Sequence, residues 1–360
     1  MAISGILIPL DGAAISAAIL PVVASLARPI HASVHLFAAI DLQKREIQSL
    51  CYTADGDASP VERTAGPESA PLNPSGVQAS TAEVTQRVER ARAFLGALAA
   101  RLQALGIESS YEASVGDPMS DIVNLARRKR FGLIALSPHS RYAIGRGLGS
   151  VTDRVLHSSP IPILVAPPSS APPPTASALT IQTVIATLDG SRAAEAALDP
   201  ARQIAEACGA QLLLLRAIGG RAREAAWEEG AERVGRDIDS DFHGAAMRYM
   251  TDASERVGVP CSTMIGSEDE VTEILGAADS LPSSMIVMAS QGQSGLTKWR
   301  LGSITDRIIR QTSRPVIVVP PIGQLARLRH AAGSRKMMSR AKIPDACAQP
   351  RHHHTAKLAS

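Results

Sequence analysis

The sequence predicts an α/β protein made of two tandem domains, each a parallel sheet wound by helices. Three observations predict it. At 360 residues the chain is long enough for two domains of ordinary size. Short apolar runs without polar alternation, as in strands covered on both faces, alternate with helical patterns. The chain also repeats itself. Gly5-Ile6-Leu7-Ile8-Pro9-Leu10-Asp11-Gly12 returns as Thr183-Val184-Ile185-Ala186-Thr187-Leu188-Asp189-Gly190, and Gly149-Ser150-Val151-Thr152-Asp153-Arg154 as Gly302-Ser303-Ile304-Thr305-Asp306-Arg307.

In copy one the first strand ends at Asp11. An alanine-rich helical segment carrying Pro21 leads to a second strand, Ser33–Ile40. Thr53–Ser80 is rich in Ser, Pro, Gly and Ala without periodicity and reads as a disordered insertion. Val84, Val88, Ala91, Leu95, Leu98, Leu102 and Leu105 then recur at helical spacing. Strands follow at Tyr111–Val115 and Leu133–Ser137, with a last strand at Ile161–Ala166. Copy two repeats the order. Asp189 ends its first strand, Pro200 sits in the helical segment, and Gln211–Ile218 is the second strand. Ile238, Phe242, Ala245, Tyr249 and Ala253 mark a helix face, and strands are expected at Cys261–Ile265, Met285–Ala289 and Pro315–Val319. The expected division is domain one over 1–168, a proline-rich linker over 169–178, domain two over 179–322 and a basic tail over 323–360.

Composition narrows the function. Hydrophobic residues at 45% and charged residues at 20% describe a globular chain. Aromatics at 3% argue against a base-stacking nucleic-acid surface, and a net charge of +3 against polyanion binding driven by the protein's field. Cys51, Cys208, Cys261 and Cys347 are scattered without CxxC spacing, which fits a reduced, cytoplasmic protein. The apolar opening has no basic residue before Arg28 and is interrupted by Asp11-Gly12, so it reads as a core strand and helix rather than a signal peptide. No stretch reads as a membrane span. Three adjacent histidines, His352 to His354, lie in the tail, where they read as incidental rather than as a metal site.

The chemistry concentrates after the strand Met285–Ala289. Gly292 permits a tight turn, and Gly302-Ser303 opens the helix Ile304–Gln311. A helix start offers unpaired N–H groups and partial positive charge, which suit a phosphate. Gly-Lys-Ser/Thr spacing is absent, so this is not a P-loop. Blander roles are open as well: Gly302-Ser303 and Asp189-Gly190-Ser191 both suit helix caps. Lys298 and Arg300 suit a solvated loop, and Asp306 complements the helix dipole.

Gly292, the nine residues Gln293 to Leu301, and Gly302-Ser303 resemble the nucleotide loop of the universal stress protein family, with that pattern's first glycine replaced by Ala289. The resemblance covers both copies. It implies two tandem five-stranded parallel-sheet domains, Rossmann-like and similar to the adenine nucleotide alpha hydrolases, with ATP as ligand and Mg²⁺ left open. By that resemblance Asp189 matches an adenine-contacting aspartate, Ala217 a backbone contact to adenine, Gly292 and Gly302 the loop glycines, and Ser303 a phosphate-binding hydroxyl. Asp11, Gly149 and Ser150 mark a degenerate counterpart in copy one. Counting back from Gly149 puts His139 and Leu136 at the glycine positions there, so copy one is expected to have lost nucleotide.

Since terminal apolar strands are an aggregation hazard when uncovered, and family members commonly pair there, Ile161–Ala166 and Pro315–Val319 are expected to form an intramolecular pseudo-dimer. The expected function is an ATP-binding stress-response regulator with a protein partner, without catalytic residues or metal ligands. A slow ATPase using the same site and a nucleotide-free interaction module are the alternatives. Phosphoryl transfer would want metal-binding carboxylates that the sequence does not place at the phosphates.

Overall fold

A computed structural model of the chain describes residues 3–12, 14–42, 81–138, 148–167, 180–218, 235–281, 283–291 and 301–321. Copy one runs β1 (Gly5–Pro9), α1 (Ala14–Ala17), α2 (Leu20–Ala27), β2 (Ser33–Ile40), α3 (Thr81–Ala104), β3 (Ser109–Val115), α4 (Pro118–Lys129), β4 (Leu133–Leu136), α5 (Ser150–Ser158) and β5 (Ile163–Val165). Copy two runs β6 (Thr183–Thr187), a 3-10 turn (Ala194–Ala197), α6 (Leu198–Cys208), β7 (Gln211–Ala217), α7 (Gly235–Val257), β8 (Ser262–Gly266), α8 (Glu270–Ser280), β9 (Ser284–Ala289), α9 (Ser303–Gln311) and β10 (Val316–Val319). The two repeat prolines explain why the first crossover is broken in both copies. Pro21 and Pro200 lie in the first turns of α2 and α6, where a missing N–H is tolerated and a new helical segment begins.

The strands form one ten-stranded sheet in the order β3-β2-β1-β4-β5-β10-β9-β6-β7-β8. Pairing is parallel within each copy. At the seam β5 and β10 pair antiparallel, with Val165 opposite Val316, Leu164 opposite Ile317 and Ile163 opposite Val318. All six side chains are buried. The terminal strands therefore meet as expected, and neither is left as an open edge. Strand direction reverses at the seam, so the carboxyl ends of the two copies' strands lie along opposite edges of the sheet.

Side-chain alternation sends the core to both faces. Ile6, Leu164, Val184 and Ile317 fall in one buried layer, and Leu7, Val165, Ile185 and Val316 in the other. Each layer runs through both copies. Coverage is incomplete at the outer strands, where Tyr111 and Val115 of β3 and Met264 of β8 are exposed. The expected α3 stripe holds at its centre: Ala91, Leu95, Leu98 and Leu102 are buried, while Leu105 at the end is exposed. The α7 stripe needs correction. Ala246, Met250, Ala253 and Val257 are buried, whereas Phe242 is exposed. The buried stripe is set one residue on from Ala245 and Tyr249, at Ala246 and Met250, and meets the expected one at Ala253, a shift that hydrophobicity alone does not reveal. The insertion Thr53–Ser80, the linker 169–178, and the tail 323–360 lie outside the described residues.

One buried histidine in copy one meets an exposed ion pair. His35 of β2 is almost fully enclosed, its ring stacked on Phe131 at 5.4 Å. Lys129 Nζ, which can only donate, lies 3.2 Å from Nε2, so Nδ1 carries the proton towards Ser110 Oγ at 2.8 Å. Lys129 in turn pairs with Glu112 at 2.6 Å. Burial lowers the His35 pKa; the Lys129 charge lowers it further, and Glu112 opposes both. The unfolded chain therefore takes up a proton near the ordinary histidine value before the native state does, and stability falls as pH drops through that window. Urea unfolding of His35→Gln should show a shallower loss of stability between about pH 7 and 5 than the parent. Parallel losses in the two proteins would contradict this assignment.

Candidate functional site

The carboxyl ends of β9, β6 and β7, adjacent in the sheet, bring together the copy-two residues singled out by sequence. Asp189 lies just past β6, Ala217 ends β7, and Ala289 ends β9. Asp189 Oδ1 accepts from the Ser191 N–H at 2.8 Å, and Ser191 Oγ accepts from the Ala194 N–H at 3.1 Å. The Asp-Gly-Ser turn thus caps the 3-10 turn, and the same bond fixes the carboxylate at the strand end. Gly190 bends the chain with φ of +87°, a torsion that favours glycine.

Gly302 closes the other side. Its N–H donates to Ser290 O at 2.7 Å, and a Cβ placed on it would stand 3.2 Å from that oxygen. Thr305 Oγ1 donates to Ala289 O at 3.1 Å, which fastens α9 to the end of β9. Gly302, the cap residue of α9, makes no side-chain cap hydrogen bond, and Ser303 beside it is exposed. Copy one adds a neighbour. Leu156, Ser159 and Ile161 share a small cleft with Ser290, Gln291 and Leu301 at the foot of this loop. Gly292, Lys298, Trp299 and Arg300 lie outside the described residues.

Several charges in the repeated motif have structural partners. Arg154 reaches Asp117 at 3.4 Å, and Arg307 reaches Asp269 at 3.9 Å. These aspartates cap α4 and α8 through the backbone N–H groups of Ser120 and Val271. Hydrogen bonds from Ser120 lower the Asp117 pKa, and the Thr272 hydroxyl does so first for Asp269. Asp306 is held by Arg310 Nε, 2.9 Å from each oxygen, and Arg310 also reaches Asp153 across the seam at 3.8 Å.

Copy one places Asp11 past β1 and opens α5 with Gly149-Ser150, but its geometry differs. Gly149 has φ of +80° and ψ of 146°, against −62° and 147° at Gly302. The same residue is thus needed for torsion in one copy and for close approach in the other. Strand pairing also corrects the count back from Gly149. Leu136 lies opposite Val165 as Met288 lies opposite Val318, so Ser137, not Leu136, corresponds to Ala289. Leu136 points into the core, and the copy-one loop is one residue shorter. His139 lies outside the described residues.

Sequence reasoning missed Arg216. Its guanidinium lies 5.0 Å from the centroid of the Tyr249 ring and against Gly190, where a Cβ would stand 2.9 Å from Nη2. Arg256 lies 6.0 Å from the same ring and pairs with Glu195 at 3.0 Å. Burial, then the Glu195 and Asp189 charges, push the Tyr249 hydroxyl up to about 12. A lone arginine closing the apolar run Leu212–Leu215, where copy one has Ala38, was the available signal. Among the described residues, no group of His, Cys, Asp and Glu could hold a metal, and no helix is long and apolar enough to cross a membrane.

A sequence model of the universal stress protein family matches residues 4–167 and 180–320. Universal stress protein YxiE of Bacillus subtilis is 26% identical over 147 residues, which is 38% of this chain and 97% of that protein. Among solved structures, a universal stress protein from Archaeoglobus fulgidus superposes with a TM-score of 0.60 at 19% identity, covering 89% of this chain and 99% of that one. A functionally unknown protein from Pseudomonas aeruginosa gives 0.61 at 15% identity, covering 92% and 98%. At these identities the structural likeness carries the fold.

The two helix-start glycines should respond differently to the same change. Gly149→Ala forces an essentially glycine-only conformation and should cost about 1–3 kcal/mol. Gly302→Ala needs only a small shift of the Ser290 carbonyl and should cost less. Urea midpoints of the two variants decide the order, and the reverse order would contradict the geometry described.

Proposed function

The chain belongs to the universal stress protein family, and on that premise we propose that it is a nucleotide-responsive regulatory protein whose second copy holds one ATP-type nucleotide. The observation that carries the reading is the convergence of Asp189, Ala217 and Gly302-Ser303 at three adjacent strand ends. Ligands of open parallel α/β sheets sit at such ends. The α9 start supplies N–H groups, a hydroxyl from Ser303 and the positive end of the helix dipole for phosphate. Gly302 keeps that approach clear of a side chain. At the far end Asp189 accepts from an exocyclic amine and the Ala217 backbone borders the base.

Binding is favoured over turnover by where the nearby carboxylates go. Phosphoryl transfer wants carboxylates that hold Mg²⁺ and a group that positions water. Asp306 is tied to Arg310, and Asp269 caps α8 and pairs with Arg307. The reading is of a cytoplasmic protein that signals through a protein partner by its nucleotide state. Copy one, with its shorter loop and altered helix start, serves as the structural partner of copy two.

Ser303→Ala removes one charge-assisted hydrogen bond and should weaken ATP binding about tenfold or more, whereas Ser150→Ala should leave affinity nearly unchanged. Calorimetric titration of parent and variants should give one site per chain. Two equivalent sites, or equal losses from the two variants, would overturn the assignment to copy two. No binding by the parent would leave a nucleotide-free interaction module.

A further inference from the structure

We propose that Arg216 is a base-reading residue of the copy-two site and that, with Asp189, it selects a purine bearing a carbonyl oxygen at position 6, so that guanine nucleotides bind at least as tightly as adenine nucleotides. The inference rests on the reading of copy two as a nucleotide site and names the base that site takes.

Arg216 is the penultimate residue of β7, and its side chain crosses to the end of β6. Nη2 and Cζ lie 2.9 and 3.1 Å from where a Cβ on Gly190 would stand, which sets the guanidinium against the turn carrying Asp189. The Tyr249 ring, 5.0 Å away, supports its flat face. No carboxylate among the described residues lies within ion-pair distance of Arg216, whereas Arg256 on the same ring is paired with Glu195. A guanidinium held through its face, with no ion pair to a described residue, is a preorganised donor edge. Copy one has Ala38 at the corresponding position and cannot supply it.

The two groups have opposite chemistry. A carboxylate only accepts and a guanidinium only donates. Guanine presents a donor edge, N1–H and the N2 amine, beside an acceptor edge, O6 and N7. Asp189 suits the first and Arg216 the second, and a two-pronged arginine contact to O6 and N7 is the commonest specific arginine–base pairing. Adenine puts an amine donor where that oxygen would be, so one prong of Arg216 faces another donor.

Calorimetric titration of the full chain with GTP and with ATP tests this in the parent, Arg216→Gln and Arg216→Lys. The parent should bind GTP at least as tightly as ATP. Arg216→Gln should shift the preference towards ATP by about tenfold, because a carboxamide pairs with N6 and N7 of adenine. Arg216→Lys, which keeps the charge and can still donate to O6 and N7 without the rigid fork, should retain a guanine preference, weaker than the parent's. Loss of the Tyr249 support alone would weaken both nucleotides equally, so a change in their ratio is the diagnostic readout. ATP binding tighter than GTP in the parent overturns the proposal while leaving a copy-two ATP site intact, as do equal losses of both nucleotides in Arg216→Gln. Failure of the parent to bind either nucleotide overturns the site and this inference together.

Discussion

The antiparallel pairing of β5 with β10 is the constraint on which the rest of the structure depends. A parallel five-stranded sheet ends in an apolar strand whose backbone groups need partners. Here the repeat itself supplies them, and both core layers continue through the junction. The pairing also fixes the placement of function. Because strand direction reverses at the seam, the two candidate edges face opposite ways. The end of α5 and the start of β5 in copy one then lie beside the loop anchor of copy two, where Leu156, Ser159 and Ile161 meet Ser290, Gln291 and Leu301. The copy that departs from the nucleotide pattern is therefore part of the frame around the one that keeps it.

Much of this was legible in the sequence, for identifiable reasons. Unbroken apolar runs marked β1, β4, β6 and β9 because strands buried on both faces have no polar side. Repeated prolines marked the helical segment of each copy, though not the break in it that the structure places at their helix starts. The motif Thr-Asp-Arg was visible too, but its meaning was not. The arginines reach aspartates that cap helices many residues away, a partnership that only the crossover of α4 beside α5, and of α8 beside α9, creates. The face of α7 was misjudged because Ala245 and Tyr249 lie beside Ala246 and Met250 as two adjacent apolar stripes, and periodicity cannot show which one approaches the sheet. The count across the copy-one loop failed since a one-residue length difference leaves no trace until strand register is known.

Arg216 shows the same limit at the site. In sequence it is one charged residue at the end of a leucine run. In the fold it meets Tyr249, over thirty positions later, and the Asp189–Gly190 turn from the neighbouring strand. Only that meeting makes it a candidate for reading a base. The Gly302–Ser290 contact is similar: a glycine expected to face phosphate also sits close to its own backbone neighbour, where a Cβ would stand 3.2 Å from the Ser290 carbonyl. Glycine there suits packing as well as a ligand, so the three converging strand ends carry the reading of a site further than the motif does.

The location of the ligand is the central claim, and amide hydrogen exchange with and without saturating nucleotide tests it most directly. The account predicts slowed exchange at Ser303, Ile304 and Thr305, together with the Asp189–Ser191 turn, and no change at Ser150–Thr152. Protection appearing at the start of α5, or equally at both helix starts, would contradict it.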